Sequence, residues 1–206
     1  NVANGTTRLQ PVVLQLGQAA GLAAVLSADI GVAPALLDVR SLQEELLDYG
    51  AILMPYMDAL HDHWAFSSIQ KVGLSGIMRG EGIPVAWANE TRFHPEKNLS
   101  SEELEVILNR AKELEYLSEN TQWDTDNRVS FTVGQALEVF AGLAGAEGYS
   151  DALIKAKQSS AEERLESVEI GLNTALNRAT LAYLLDHYFD PFYSKTITIG
   201  YPNSQL

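Results

Sequence analysis

Three histidines come closest to forming a metal-binding set. His61 and His63 are two residues apart, and His94 could approach them through an intervening loop. A His-x-His pair on extended backbone can ligate a divalent ion, with Asp58 and Asp62 as the nearby acids. His63 also opens a His-Trp-Ala helix start, where an imidazole makes local hydrogen bonds, and that local role is the expected one. His187 lies in an aromatic stretch over 183–192 and is expected at the surface or at a core boundary. The acid pairs Glu102-Glu103 and Glu162-Glu163 are read as first-turn residues, where carboxylates favour the helix macrodipole. That pattern describes a solvated face and names no general acid and base. The chain has no cysteine and no Gly-x-Ser-x-Gly elbow, so thiolate chemistry, Cys-ligated clusters and the serine-hydrolase arrangement are excluded. No catalytic residue and no metal site is assigned.

Charge narrows the partners. Fourteen Lys and Arg against 27 Asp and Glu give a formal charge of −13 in 206 residues. Nucleic-acid affinity rests on cationic neutralisation of phosphates, so no nucleic acid is expected as a partner. No uninterrupted apolar run reaches ~18 residues, so no membrane span is expected.

The elements that must position these residues are helices. Pro11 suits a first helical turn, and 12–28 is rich in helix formers, with Val13, Leu16, Ala20, Ala23, Ala24 and Ser27 on one stripe. Gly17, Ala19, Ala20, Gly21, Ala23 and Ala24 make that stretch small enough for close backbone approach. A short helix carrying Leu42, Leu46 and Leu47 ends before Gly50. A third carries Phe66, Ile69, Val72 and Leu74 inward up to Gly76. Gly76, Gly80, Gly82, Pro84 and Pro95 predict a loop region. Capping-box pairs Ser100–Glu103 and Thr132–Gln135 predict two helix starts, and Asn177 a third. An acidic helix spans about 160–170, and 196–199 alternates as one short edge strand. The fold class is all-α, with at most short edge strands.

Residues 7–50 resemble the carboxy-terminal end of an FAD-dependent oxidoreductase domain, of the kind catalogued as xanthan-lyase-like. The resembling residues are Arg8-Leu9-Gln10-Pro11-Val12-Val13, 16–24 (Leu-Gly-Gln-Ala-Ala-Gly-Leu-Ala-Ala), 37–46 and Gly50. The resemblance implies a helix beside the flavin, whose free N–H groups face the pyrimidine oxygen. Arg8, Gln10, Pro11, Gly17, Gln18 and Gly21 are the implied cofactor-binding remnant, competent only in a full-length parent. The Gly-x-Gly-x-x-Gly turn that holds a dinucleotide pyrophosphate is absent from these residues. Gly142, Gly145 and Gly148 have the wrong spacing and follow a helix. No cofactor is therefore expected on this chain alone, with FAD expected in the parent protein.

Residues 62–103 resemble an S-layer homology repeat through Asp62-His63-Trp64-Ala65, Ile69, Gly76-Ile77, Gly80, Phe93, Pro95 and the capped helix at Ser100. The second helix of that family opens on a Thr-Arg-Ala-Glu-like tetrad. Asn177-Arg178-Ala179-Thr180 keeps its Arg, whereas Ser100-Ser101-Glu102-Glu103 and Thr132-Val133-Gly134-Gln135 do not. The resemblance implies a bundle of helix pairs in three pseudo-repeats around a common axis, with attachment to anionic cell-wall polymer as the family's usual work. Arg178 and Trp64 are the implied ligand-binding residues.

The expectation from these readings is two parts. Residues 1–52 form the carboxy-terminal helical tail of an FAD-dependent oxidoreductase domain, and 56–206 an S-layer-homology-like helical domain. The second part is expected to be a non-catalytic accessory or interaction domain of a larger, exported protein. It would be periplasmic, cell-surface or secreted, with the parent's N-terminal FAD-binding domain as partner. The alternative is a cell-wall polymer or polysaccharide binding module.

Overall fold

A computed structural model describes residues 9–86, 88–123, 130–198 and 201–202. The chain is predominantly helical, with short antiparallel strands. Its helices are α1 (Gln10–Ile30), α2 (Val39–Asp48), α3 (Phe66–Leu74), α4 (Ser101–Glu113), α5 (Val133–Ala146), α6 (Asp151–Ser167) and α7 (Arg178–Phe189). Strands β1 (Glu81–Val85) and β2 (Ala88–Arg92) form one pair, and β3 (Ile197–Thr198) and β4 (Tyr201–Pro202) another. The chain divides into two units, Asn1–Ala51 with Lys195–Leu206, and Ile52–Ser194.

In the first unit, α1 runs 21 residues from Pro11 in its first turn to Gly31, whose φ of 70° supplies the left-handed stop. A 3-10 turn over Pro34–Leu36 leads to α2, which is capped by Asp38. That carboxylate accepts from the Arg40 and Ser41 amides and the Ser41 hydroxyl. It also accepts from the Ile197 amide at 3.0 Å, which fastens β3 to the start of α2. Leu37, Leu46 and Leu47 are the buried apolar residues of this small core. The stripe expected along α1 is not a core stripe: of its members only Ser27 is buried, and Val13 and Leu16 are more than half exposed. The residues of α1 that approach burial are Val12, Ala19, Leu22, Ala23 and Leu26.

The second unit holds the large core. Ile69 and Val72 of α3, Leu104 and Leu108 of α4, Leu137 and Phe140 of α5, and Leu181, Leu184 and Tyr188 of α7 all lie in one buried cluster. α7 packs on α3, α5 and α6. All three expected caps are present. Ser100–Glu103 and Thr132–Gln135 close as reciprocal capping boxes, and Asn177 accepts from the Thr180 amide. The segments leading into these caps are bonded to one another. The Leu99 amide donates to the Leu176 carbonyl and the Arg178 amide to that of Lys97, while the Leu176 amide donates to Phe131 and the Val133 amide to Thr174. The starts of α4, α5 and α7 are thereby tied together through the stretch 174–178.

Two expectations are corrected. Residues 81–92, read as loop, form the β1–β2 hairpin, with Glu81 opposite Arg92 and Val85 opposite Ala88. Gly82 and Pro84 hide it from a propensity reading, and both tolerate a two-stranded edge. The acidic helix is α6, which begins at Asp151, so Glu162 and Glu163 lie in its later half and not in a first turn.

Candidate functional site: the exposed face of α1 and the loop around Arg178

The start of α1 has the form of an anion-accepting terminus. Leu9 at the N-cap is extended and makes no side-chain cap bond, and no acid occupies the first turn. The first N–H groups of a helix have no intrahelical partner, and here no side chain of the cap takes one. Gln10, Pro11, Gly17, Gln18 and Gly21 are all exposed, whereas Arg8 lies outside the described residues. A Cβ placed on Gly17 or Gly21 would meet nothing within 4 Å, so the small face is open. A groove of about 330 Å³ runs beside it, lined by Gln18, Gly21, Leu22, Val25 and Tyr49. By length and composition α1 could also cross a membrane, with a mean hydropathy of 1.5 over an 18-residue window and 6% of that window buried. The expectation of no span rested on uninterrupted apolar runs. A span tolerates scattered polar residues, and Asp29 is the single charged residue between Gln10 and Ile30.

α1 thus presents an uncapped terminus and a small, open face. Among the described residues the glycines at 142, 145 and 148 do not form a strand–turn–helix: Gly142 and Gly145 are inside α5 and Gly148 follows it at a φ of 84°.

Arg178, at the first position of α7, is half-buried and spends its donors on backbone. Its Nε donates to the Phe93 carbonyl at 2.7 Å and its Nη2 to the Arg79 carbonyl at 2.8 Å, with the guanidinium over the Phe93 ring at 4.7 Å. Burial lowers its pKa, opposed by the charge of Glu103 and by Tyr56 and Asp58. Beside it Lys97 pairs with Glu103. The arrangement clamps both ends of the β1–β2 hairpin to the start of α7.

Trp64, an implied ligand-binding residue, packs against the core. It is half-buried at the edge of the cluster, with its ring 5.7 Å from that of Tyr183, whereas Phe93 is fully buried. Tyr183 stacks in turn on His187 at 5.4 Å. The rings pack on one another, so they present no open aromatic platform. The structure does not gather the histidines: His63 bonds Glu96, His94 bonds Glu81 and His61 rests on the Phe66 ring. Among the described residues no group of three or more His, Asp or Glu is placed to hold a metal ion. His187 is half-buried, its Nε2 donates to the Lys157 carbonyl, and desolvation lowers its pKa.

Sequence reasoning missed two features. One is a cleft of about 460 Å³ lined by Glu162, Glu166, Glu169, Ile170, Gly171 and Leu172. The other is Glu147, which takes bonds from Thr121 and from the Ser118 amide and so holds the 118–121 turn.

Comparison with known proteins gives one match. Residues 1–46 match the model of the FAD dependent oxidoreductase family, so the first unit contains an oxidoreductase-related region. No curated protein and no solved structure matches the chain.

Proposed function

We propose that this chain is the carboxy-terminal part of an FAD-dependent oxidoreductase, in which α1 lies against the FAD-binding layer of the parent and the 52–194 unit is a non-catalytic accessory domain. The observation that carries the reading is the coincidence of the family match with α1. The matched stretch contains a long apolar helix with a single buried residue, an uncapped start and an open glycine face. A monomeric soluble protein seldom leaves so much contiguous apolar surface bare. A covering layer that approaches closely over Gly17 and Gly21 accounts for both the exposure and the small side chains. FAD binds in the parent, where a Gly-rich turn supplies the pyrophosphate contacts that this chain lacks.

A flavin titration followed by fluorescence tests it. The chain alone is expected to show no saturable binding at micromolar FAD. A helix terminus offers an anion about 0.3–1 kcal/mol, against the roughly 8 kcal/mol of a micromolar complex. In the longer protein, Gly21→Leu should weaken FAD retention while leaving the stability of the 206-residue chain nearly unchanged. Saturable binding by the chain alone overturns the proposal.

A second reading, an S-layer-homology-like module that grips anionic cell-wall polymer, is favoured by the three capped helices whose starts are hydrogen-bonded together. In it Arg178 would exchange its bonds to the Phe93 and Arg79 carbonyls for an anion of the polymer, and the protein would lie outside the cytoplasm. Retention on cell-wall polymer that is lost in Arg178→Ala but kept in Trp64→Ala supports a guanidinium site; no retention of the parent chain rejects this reading.

A further inference from the structure

Helices α6 and α7 are joined by one residue from each, used twice. The Lys157 ammonium of α6 donates to the His187 carbonyl of α7 at 2.6 Å, and His187 Nε2 donates back to the Lys157 carbonyl at 2.8 Å. A carbonyl can only accept, so in the neutral ring the proton sits on Nε2 and Nδ1 keeps its lone pair. The ring is half-buried, stacked on Tyr183 and edge-on to Tyr188. Among the described residues no group hydrogen-bonds Nδ1.

We infer that this reciprocal pair is an acid-released latch between α6 and α7. Protonation adds a charge and an unmatched N–H at Nδ1 to a half-buried ring. The Nε2 bond can persist, but a second cation now sits on the residue whose own carbonyl holds the Lys157 ammonium. Like charges at that range repel, so one side of the latch gives way. From α6 the ring is faced by Lys157, with Glu162 further along beside Tyr188. Its own helix contributes Asp186, to which Ser68 of α3 donates at 2.7 Å. Lys71 of α3 and Lys157 both lie near Asp190, just past the end of α7. After α5, the Tyr149 hydroxyl donates to the Tyr188 carbonyl. Burial lowers the pKa of His187 and the Lys157 charge adds to that, against the Lys157 carbonyl and the Asp186 charge. A base depressed in the closed form binds fewer protons there than when released. The seam is therefore firmest above about pH 6.5 and weakens as pH falls from there through the lower closed-form value.

The test uses the full chain. An NMR titration should place the His187 midpoint below the ordinary histidine value of about 6.5. Lys157→Gln, which removes the charge and keeps a donor, should raise that midpoint. Hydrogen exchange, corrected for intrinsic rates, should show protection over 155–161 falling about fivefold between about pH 8 and about pH 5, the loss expected for one hydrogen bond. In His187→Gln a side-chain amide can donate to the Lys157 carbonyl without titrating, so protection should be flat over the same range. A His187 midpoint at or above about 6.5 overturns the inference, and so does one that Lys157→Gln leaves unmoved. An exchange profile that is the same in the parent chain and in His187→Gln overturns it as well.

Discussion

Helices α1 and α7 show how differently two apolar segments of one chain can be used. α1 has 21 residues and buries one, whereas α7 has 12 and buries eight. α7 is polar at its start and capped by Asn177, and it is gripped on several sides by α3, α5 and α6. α1 is more apolar, starts without a cap and touches α2 along one side. Helical stability in proteins comes mainly from tertiary packing rather than from propensity. By that measure α7 is a core element, and α1 is a largely bare surface.

The contrast predicts its own mutational profile, beginning with the largest effect. Phe140→Ala, in the second unit, removes a fully buried ring that packs on Tyr188 and Phe189 and should cost about 3–5 kcal/mol. Leu14→Ala, on the open face of α1, should stay within about 0.5 kcal/mol. Urea unfolding followed by circular dichroism separates them, and equal losses would erase the distinction between the two helices.

Next comes the clamp. Arg178→Ala strips two loop carbonyls, of which Phe93 belongs to a buried residue, and should cost about 1–3 kcal/mol. Arg178→Lys should recover little, because an ammonium cannot reproduce the planar fork. An alanine variant as stable as the parent chain would mean that these two bonds do not hold the hairpin to α7. The caps follow: Thr132→Ala and Asn177→Ala should each cost about 1 kcal/mol. An effect confined to one of them would argue against a shared organisation of the linked helix starts.

The smallest effect is on pH dependence. The bond from Lys97, followed by that from the Ser100 amide, holds the Glu103 carboxyl below its ordinary value. A carboxylate depressed in the folded state contributes stability above its unfolded pKa of about 4.3, and that contribution is lost as pH falls through the lower folded value. Glu103 is partly exposed, so the gain is a few tenths of a kcal/mol after solvent screening. Glu103→Gln should lower stability at neutral pH by about that much and flatten the acid limb of an unfolding profile taken from about pH 7 to about pH 3. An acid limb unchanged by the substitution would mean that Glu103 serves only as a capping group.

Local grammar was legible in the sequence. The caps at Ser100, Thr132 and Asn177 and the buried residues Leu46, Leu47, Phe66, Ile69 and Val72 follow from side-chain chemistry and helical spacing within a few turns. Features fixed by distant partners were not. The carbonyls that hold Arg178 lie 85 and 99 residues away in the chain. The hairpin at 81–92 is disguised by Gly82 and Pro84, and is set in place by the Met57 amide donating to the Thr91 carbonyl. Periodicity placed Val13, Leu16 and Ala20 on one stripe of α1. It could not say whether anything in this chain covers them, because an apolar face looks the same in sequence whether it is buried or bare.

Hydrogen–deuterium exchange over 10–30 tests the central claim most directly, compared between the chain alone and the protein carrying the FAD-binding domain with its flavin. In the chain alone α1 should exchange rapidly beside a protected α7, and in the longer protein α1 should be strongly protected. An α1 as protected as α7 in the chain alone, or one whose exchange is unchanged in the longer protein, would contradict it.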